Sequence, residues 1–231
     1  YTAWNAALAV AYLRARLPAD RLLDSLFKHA YKKNEGMTHA EGVGGQLADQ
    51  VWSLWAAVRA YQHGLGEKWR EVALDLAAHI EERYGDPELG GFLDHAGGDE
   101  LGRLGERIKP LGENSVAAMA LIELDIVVGD PGSPFRERAR RALESVAALP
   151  RQYGLMAAVF ARALDRVGHA IKVTTKNSEL ARAAVAAHPY AVLDPSGDDR
   201  AVVCAGTICL APVSTPDALK DAIKEASQAR A

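Results

Sequence analysis

The stretch that most constrains this chain runs from Gly45 to Asp94, because it holds the whole plan of a helical hairpin in one run. Leu47, Val51, Leu54, Trp55, Val58 and Tyr61 recur at intervals of three and four residues, the spacing of one buried helical face. After the break at His63-Gly64-Leu65-Gly66, the same spacing returns in Trp69, Val72, Ala73, Leu76, Ala77, Ile80 and Tyr84, with charges between. The second helix therefore packs back on the first. Asp86-Pro87 stops it, since proline disfavours helical geometry in the residue before it, and Gly90-Gly91 allows a tight reversal. Phe92 and Asp94 then leave on one side of an extended piece.

Both neighbours repeat parts of this plan. Upstream, Trp4, Leu8, Ala11, Tyr12 and Ala15 form an apolar stripe ending at Leu17-Pro18, and Leu22, Leu23, Leu26, Phe27 and Ala30 form a second, with Asp20 in that helix's first turn. A polar, glycine-rich loop from Lys32 to Gly45 follows, with Met37-Thr38-His39 as a short extended piece. Downstream, the segment from Ala96 to Gly112 is irregular, and Asn114 or Ser115 is expected to cap a strongly apolar helix. Val116, Met119, Ala120, Ile122, Leu124 and Val127 fill that helix, and Phe135, Ala139, Ala142, Leu143, Val146 and Leu149 its partner. Pro150 ends this third hairpin, and Tyr153, Met156, Ala157, Phe160, Ala161 and Leu164 mark a seventh helix.

Past Gly168 the period changes. Residues 170–174 and 190–193 read as strands around a helix at 178–187, and 201–204 and 208–210 as a hairpin turning at Ala205-Gly206-Thr207. Its alternating apolar residues Val202, Cys204, Ile208 and Leu210 are expected to pack inward, and a helix from Pro216 to Ala229 closes the chain with Thr215 as its cap. The fold class is thus mainly α: an incomplete α/α toroid of about three helical hairpins plus a seventh helix over 1–168, with a small C-terminal α/β appendage over 169–231.

With 49% apolar residues and a net charge of −3, the chain has an ordinary core composition and no general electrostatic reason to bind nucleic acid. No apolar run reaches membrane-spanning length and the first residues lack a signal-peptide pattern, so a cytoplasmic protein without membrane contact is expected. The chain opens at Tyr1 inside a helical pattern, which suggests a piece of a larger protein. A three-hairpin arc leaves apolar flanks, and these predict a homo-oligomer or association with upstream sequence.

Several collinear segments resemble one family: Thr2-Ala3-Trp4-Asn5-Ala6, Leu47-Ala48-Asp49-Gln50, Gly90-Gly91-Phe92-Leu93-Asp94, Arg107-Ile108-Lys109-Pro110, Asn114-Ser115-Val116-Ala117-Ala118, and the tail from Cys204 to Val213. Together they are similar to the C-terminal part of the thioredoxin-domain-containing proteins that include the spermatogenesis-associated member and its bacterial relatives. That resemblance implies a six-hairpin α/α toroid related to N-acylglucosamine 2-epimerases and several glycosidases, of which this chain supplies about half. It also implies an upstream thioredoxin-like part. The sequence departs from the pattern where a glycine- and serine-rich loop is cut to Leu111-Gly112-Glu113, and where Gln50 replaces the usual tyrosine.

In such a toroid the inner helices converge on a cavity, and a sugar site there needs aromatic faces for stacking and carboxylates or amides for hydroxyls. Asp49 and Asp94 are the candidate catalytic acid–base pair; Trp4, Asn5, Trp52, Phe92, Lys109 and Asn114 are the candidate substrate contacts. The local alternative is that Asp49 caps or pairs nearby, Asp94 fixes the turn, and Trp52 and Phe92 are core. His39 and His95 sit in loops of the mouth type, and the seven histidines show no metal-ligand spacing, so neither metal nor cofactor is expected. Cys204 and Cys209 lack the spacing of a thioredoxin site; facing each other across a hairpin they would suit a disulfide, but in a reducing cytoplasm two buried thiols are expected. The favoured function is a non-catalytic helical scaffold completed by a partner. The alternative is a carbohydrate-active enzyme, a sugar epimerase, isomerase or glycoside hydrolase, acting on a sugar-like small molecule.

Overall fold

The computed structural model describes residues 1–97, 106 and 108–228. Arg107 of the fourth matching segment, residues 98–105 of the stretch read from the sequence as irregular, and Ala229, expected to end the last helix, lie outside the described residues. The chain is mainly helical with a small strand-containing C-terminal part. Three antiparallel hairpins follow one another: α1 (Thr2–Arg14) with α2 (Asp20–Ala30), α3 (Leu47–Gln62) with α4 (Lys68–Tyr84), and α5 (Leu111–Val128) with α6 (Phe135–Ser145). A two-stranded ribbon of β1 (Tyr31–Lys32) and β2 (Gly36–Met37) lies in the loop before α3. The helix α7 (Pro150–Tyr153) and a 3-10 turn lead into α8 (Ala158–His169). The inner row packs in the order α1, α3, α5, α8, and α2, α4 and α6 lie outside it.

α3 is the centre of this row. Only Ala48 and Trp52 on it reach solvent, because α1 and α5 flank it and α4 backs it. The predicted stripes of α4 and α5 are the faces that are buried. α1 differs. Its buried face is Thr2, Ala3, Ala6, Ala9, Val10 and Leu13, while Trp4, Leu8, Ala11 and Tyr12, expected inside, are exposed. The helix is apolar on two sides, and the small residues win the contact because they let α1 approach α3 closely. The seventh-helix stripe is corrected likewise: the segment splits into α7, the turn and α8, its buried residues on α8 are Ala163 and Arg166, and Tyr153, Met156 and Leu164 face solvent.

Asn114 and Ser115 do not cap α5. The helix begins at Leu111 after Pro110, which places both residues, fully buried, inside it. Ser115 Oγ donates back to the Leu111 carbonyl at 2.7 Å, the usual resort of a serine within a helix.

The C-terminal part is a four-stranded sheet in the order β4 (Ala191–Asp194), β3 (Ile171–Thr174), β5 (Val202–Ala205), β6 (Ile208–Cys209). β3 and β4 are parallel across α9 (Ser178–Ala187), and the other pairs are antiparallel. The core of this part is Val203, Ala205 and Ala201 against Leu180 and Ala184 of α9 and Leu219 and Ile223 of α10 (Pro216–Gln228). On β5 that is the opposite face from the one expected, since Cys204 is half-buried; just past β6, Leu210 does pack on this core, while Ile208, paired with Ala205, is exposed. The cysteines are not buried thiols either: Cys204 and Cys209 are joined by a disulfide across β5 and β6, with Cα atoms 4.0 Å apart. Gln62 Oε1, at the end of α3, accepts the Leu193 amide at 3.2 Å and ties the sheet to the hairpins. Among the described residues, no helix is long and apolar enough to cross a membrane.

Candidate functional site

The sequence places Asp49 three residues after Gln46, and the two form a reciprocal capping box at the start of α3. The fully buried Asp49 carboxylate accepts the Gln46 amide at 2.9 Å and the Ala3 amide, also at 2.9 Å. Ala3 lies in the first turn of α1, where amides have no helical partner, so one carboxylate stitches two helix starts together. A buried charge requires such donors. A further partner is His39, whose Nδ1 lies 3.0 Å from Asp49 Oδ2. An ionised carboxylate only accepts, so in this contact Nδ1 is the donor.

His39 stacks on Tyr1 with ring centroids 4.9 Å apart. Its carbonyl accepts the Thr2 amide at 3.0 Å, which fixes the loop against the start of α1. Together with Tyr1, Asn5, Ser25, His29 and Thr38, His39 lines a cleft of about 600 Å³ between α1 and α2. A carboxylate behind an imidazole at the edge of a cleft can move a proton to or from a bound hydroxyl. Asp49 then acts through His39 and has no open face of its own. Sequence reasoning placed His39 in a mouth loop but did not join it to Asp49; the one signal was a buried-type aspartate opening the inner helix.

Asp94 is held elsewhere. Its Oδ1 pairs with His95 Nδ1 at 2.8 Å and accepts the Ile108 amide at 3.3 Å, while its carbonyl accepts the Leu47 amide at 3.0 Å. Asp49 and Asp94 thus both lie near the start of α3 but bond to different partners. Asn114 reaches across the glycine turn: Oδ1 accepts the Phe92 amide and Nδ2 donates to the Phe92 carbonyl, both at 2.8 Å. The space is tight, since a Cβ on Gly91, at φ +71, would lie 2.0 Å from Ser145 Oγ. Lys109 Nζ pairs with Asp86 at 2.8 Å. The Leu89 amide and Lys109 together hold the Asp86 carboxyl down to about 2.

Of the remaining candidates, Phe92 is buried core and Trp52 is half-buried with its ring 5.6 Å from that of Trp55. Trp4 is 78% exposed. Asn5 is exposed and donates to the Tyr1 carbonyl at 2.9 Å.

Where α3, α5 and α8 converge, the interior is filled by a charged cluster. Glu123 accepts from Arg59 at 2.6 Å, from Gln62 at 2.8 Å and from Arg166. The Arg166 guanidinium lies 5.8 Å from the centre of the Trp55 ring and 4.9 Å from that of Tyr190. Burial alone would raise the Glu123 pKa, but the two guanidiniums hold it below the ordinary value. The sequence did carry a signal for this cluster, a lone glutamate between Ile122 and Leu124 in an otherwise apolar run. Among the described residues, no group of three or more His, Cys, Asp or Glu is placed to hold a metal ion. The chain matches no family model and no curated protein, so what the site does rests on this geometry.

Proposed function

We propose that this chain is a helical scaffold completed by a second copy of itself. The observation that carries this is the outward face of α1, where Tyr1, Trp4, Leu8 and Tyr12 form a continuous exposed stripe at helical spacing. Contiguous exposed apolar surface of this kind marks an interaction face. Among the described residues, α3 and α5 each pack closely on two inner-row neighbours, whereas α1 packs closely on α3. The other end of the row, around α8, also exposes apolar residues, with Leu155 at 96% together with Met156 and Leu164. A contact from the α1 edge of one copy to the α8 edge of the other, repeated about a two-fold axis, covers both edges. The resemblance to the thioredoxin-domain-containing family supports this reading, since a six-hairpin toroid continues past either edge of three hairpins.

Sedimentation velocity at micromolar concentrations tests the proposal. The expected result is a concentration-dependent dimer, lost on Leu8→Asp or Trp4→Asp with little change in melting temperature, because neither side chain belongs to the core. A monomer at every concentration refutes it.

A second reading, a sugar epimerase or isomerase, is favoured by the Asp49–His39 pair at the mouth of the α1–α2 cleft. Here His39 moves the proton and Asn5 binds a hydroxyl. Proton NMR of unphosphorylated hexoses and N-acylhexosamines incubated with the protein is the test. Turnover that His39→Asn abolishes supports this reading, and no turnover by the unaltered protein ends it.

A further inference from the structure

The disulfide lies on the face of the sheet turned away from α9 and α10, the face on which Val192 of β4 joins the helical core. Register places Lys172 of β3 opposite Cys204 of β5, and Cys204 opposite Cys209 of β6, so the three side chains form one row across three strands. Val203 and Ala205 point to the other face and carry the packing against α9 and α10. The Leu210 amide bonds to the Val203 carbonyl at 2.9 Å, which makes Cys204 and Cys209 a non-hydrogen-bonded pair with close side chains. Gly206, at φ +61, turns the hairpin in two residues, so β5 and β6 are already joined by their own ladder and turn.

The row opens onto a cleft of about 590 Å³, closed on its other side by the turn between α5 and α6. Asp125, Gly129, Arg136, Lys172, Cys204 and Cys209 are among its lining residues. Cys209 is exposed at the edge of the sheet and Cys204 half-buried. Lys172 Nζ pairs with Asp194 at 2.7 Å and lies close to Gly129, where a built Cβ would be 3.6 Å from it. Lys172 thus faces the inner cysteine across the ladder with its ammonium held by Asp194, and open cleft lies beside the outer one.

We propose that Cys204–Cys209 is a thiol–disulfide exchange site for low-molecular-weight thiols. A thiolate entering the cleft attacks Cys209 Sγ, the accessible sulfur, forming a mixed disulfide and expelling Cys204 as a thiolate. That thiolate forms opposite Lys172 in the ladder, and the lysine's positive charge makes Cys204 the better leaving group. A second thiolate attacks the small molecule's own sulfur in the mixed disulfide and releases Cys209. Two thiols are thereby oxidised to one disulfide, and the protein gains two electrons and two protons. The packing of Val203 and Ala205 against α9 and α10 lies on the other face, so neither step requires the helical part to unfold. This site is independent of the scaffold reading, since its row and the α1 stripe share no residue.

The test is anaerobic incubation of the native chain with millimolar reduced glutathione, followed by acid quenching, alkylation and mass measurement. Both cysteines are expected to become alkylated while the far-ultraviolet circular dichroism stays that of the untreated protein. In Cys204→Ser, oxidised glutathione is expected to add one tripeptide, at Cys209. Lys172→Met is expected to slow reduction by about tenfold. A hairpin merely loosened by that substitution would be reduced faster, so a slowing reports the charge. A bond that opens only at denaturant concentrations that unfold the chain, or a Lys172→Met variant reduced as fast as the parent, overturns the proposal.

Discussion

Glu123→Gln tests the charged cluster between α3, α5 and α8. Glu123 is fully buried and is the shared acceptor for Arg59 and Arg166, whose side chains are 7% and 0% exposed. Glutamine keeps the shape and one carbonyl acceptor but leaves two guanidiniums out of water without a counter-charge. Breaking a buried pair from one side costs about 3–5 kcal/mol. Against a total stability on the order of 5–15 kcal/mol, a loss of about 4 kcal/mol is a large share. For a chain of this size it lowers the melting temperature by about 8–16 °C. Circular dichroism melts and urea titration at neutral pH measure it. The triple replacement Arg59→Met, Glu123→Leu, Arg166→Met should recover most of the loss, because it removes the charges together and keeps the volume.

The pH dependence supplies a second readout. The Glu123 pKa is depressed in the folded chain, so its contribution is fully present above the unfolded value of about 4.3 and is lost as pH falls through the folded one. The parent should therefore lose stability steeply below about pH 4, and Glu123→Gln should flatten that limb. A Glu123→Gln variant within about 1 kcal/mol of the parent, with an unchanged acid limb, would refute the reasoning.

His63 is held neutral by burial, with Arg16 and Arg59 adding to the effect, and its pKa falls to about 4. Its depressed pKa makes the unfolded chain the stronger proton binder, so stability should fall between about pH 6.5 and 4 by at most ~1.4 kcal/mol per unit; urea midpoints for His63→Gln should lose that slope. Asn114→Ala strands the buried Phe92 amide and carbonyl. It should destabilise the chain by about 2 kcal/mol, read as a shift in urea midpoint with unchanged slope.

The parts legible in the sequence are those where one face alone is apolar. α4 alternates Leu76, Ala77 and Ile80 with charges, so only one packing is open to it, and the strand–helix–strand unit at 171–194 follows from short runs of β-branched residues. α1 was not legible in this way. Its Ala6–Val10 face and its Trp4–Tyr12 face are both apolar, and periodicity cannot choose between them without knowing that α3 demands a close neighbour. Asn114 illustrates the same limit for polar groups: next to an apolar run it reads as a cap, yet its amide serves Phe92, twenty-two residues away. His39 meets Asp49 across a ten-residue separation through an irregular loop, and Glu123 meets Arg59 and Arg166 across 64 and 43 residues, so no helical or strand period encodes these partners.

The bond from Gln62 to Leu193 spans 131 residues, in an array where most contacts are between neighbours in sequence. Arg166 adds to it, since its guanidinium rests on the Tyr190 ring. The end of α3 and the interior cluster are thus finished by residues that leave the ribosome after all three hairpins. A chain cut after Gly168 would keep all three hairpins and yet leave the Gln62 carbonyl without its amide and Arg166 without its ring. During synthesis the helices can form early, but their central joint stays incomplete until the sheet arrives to close it.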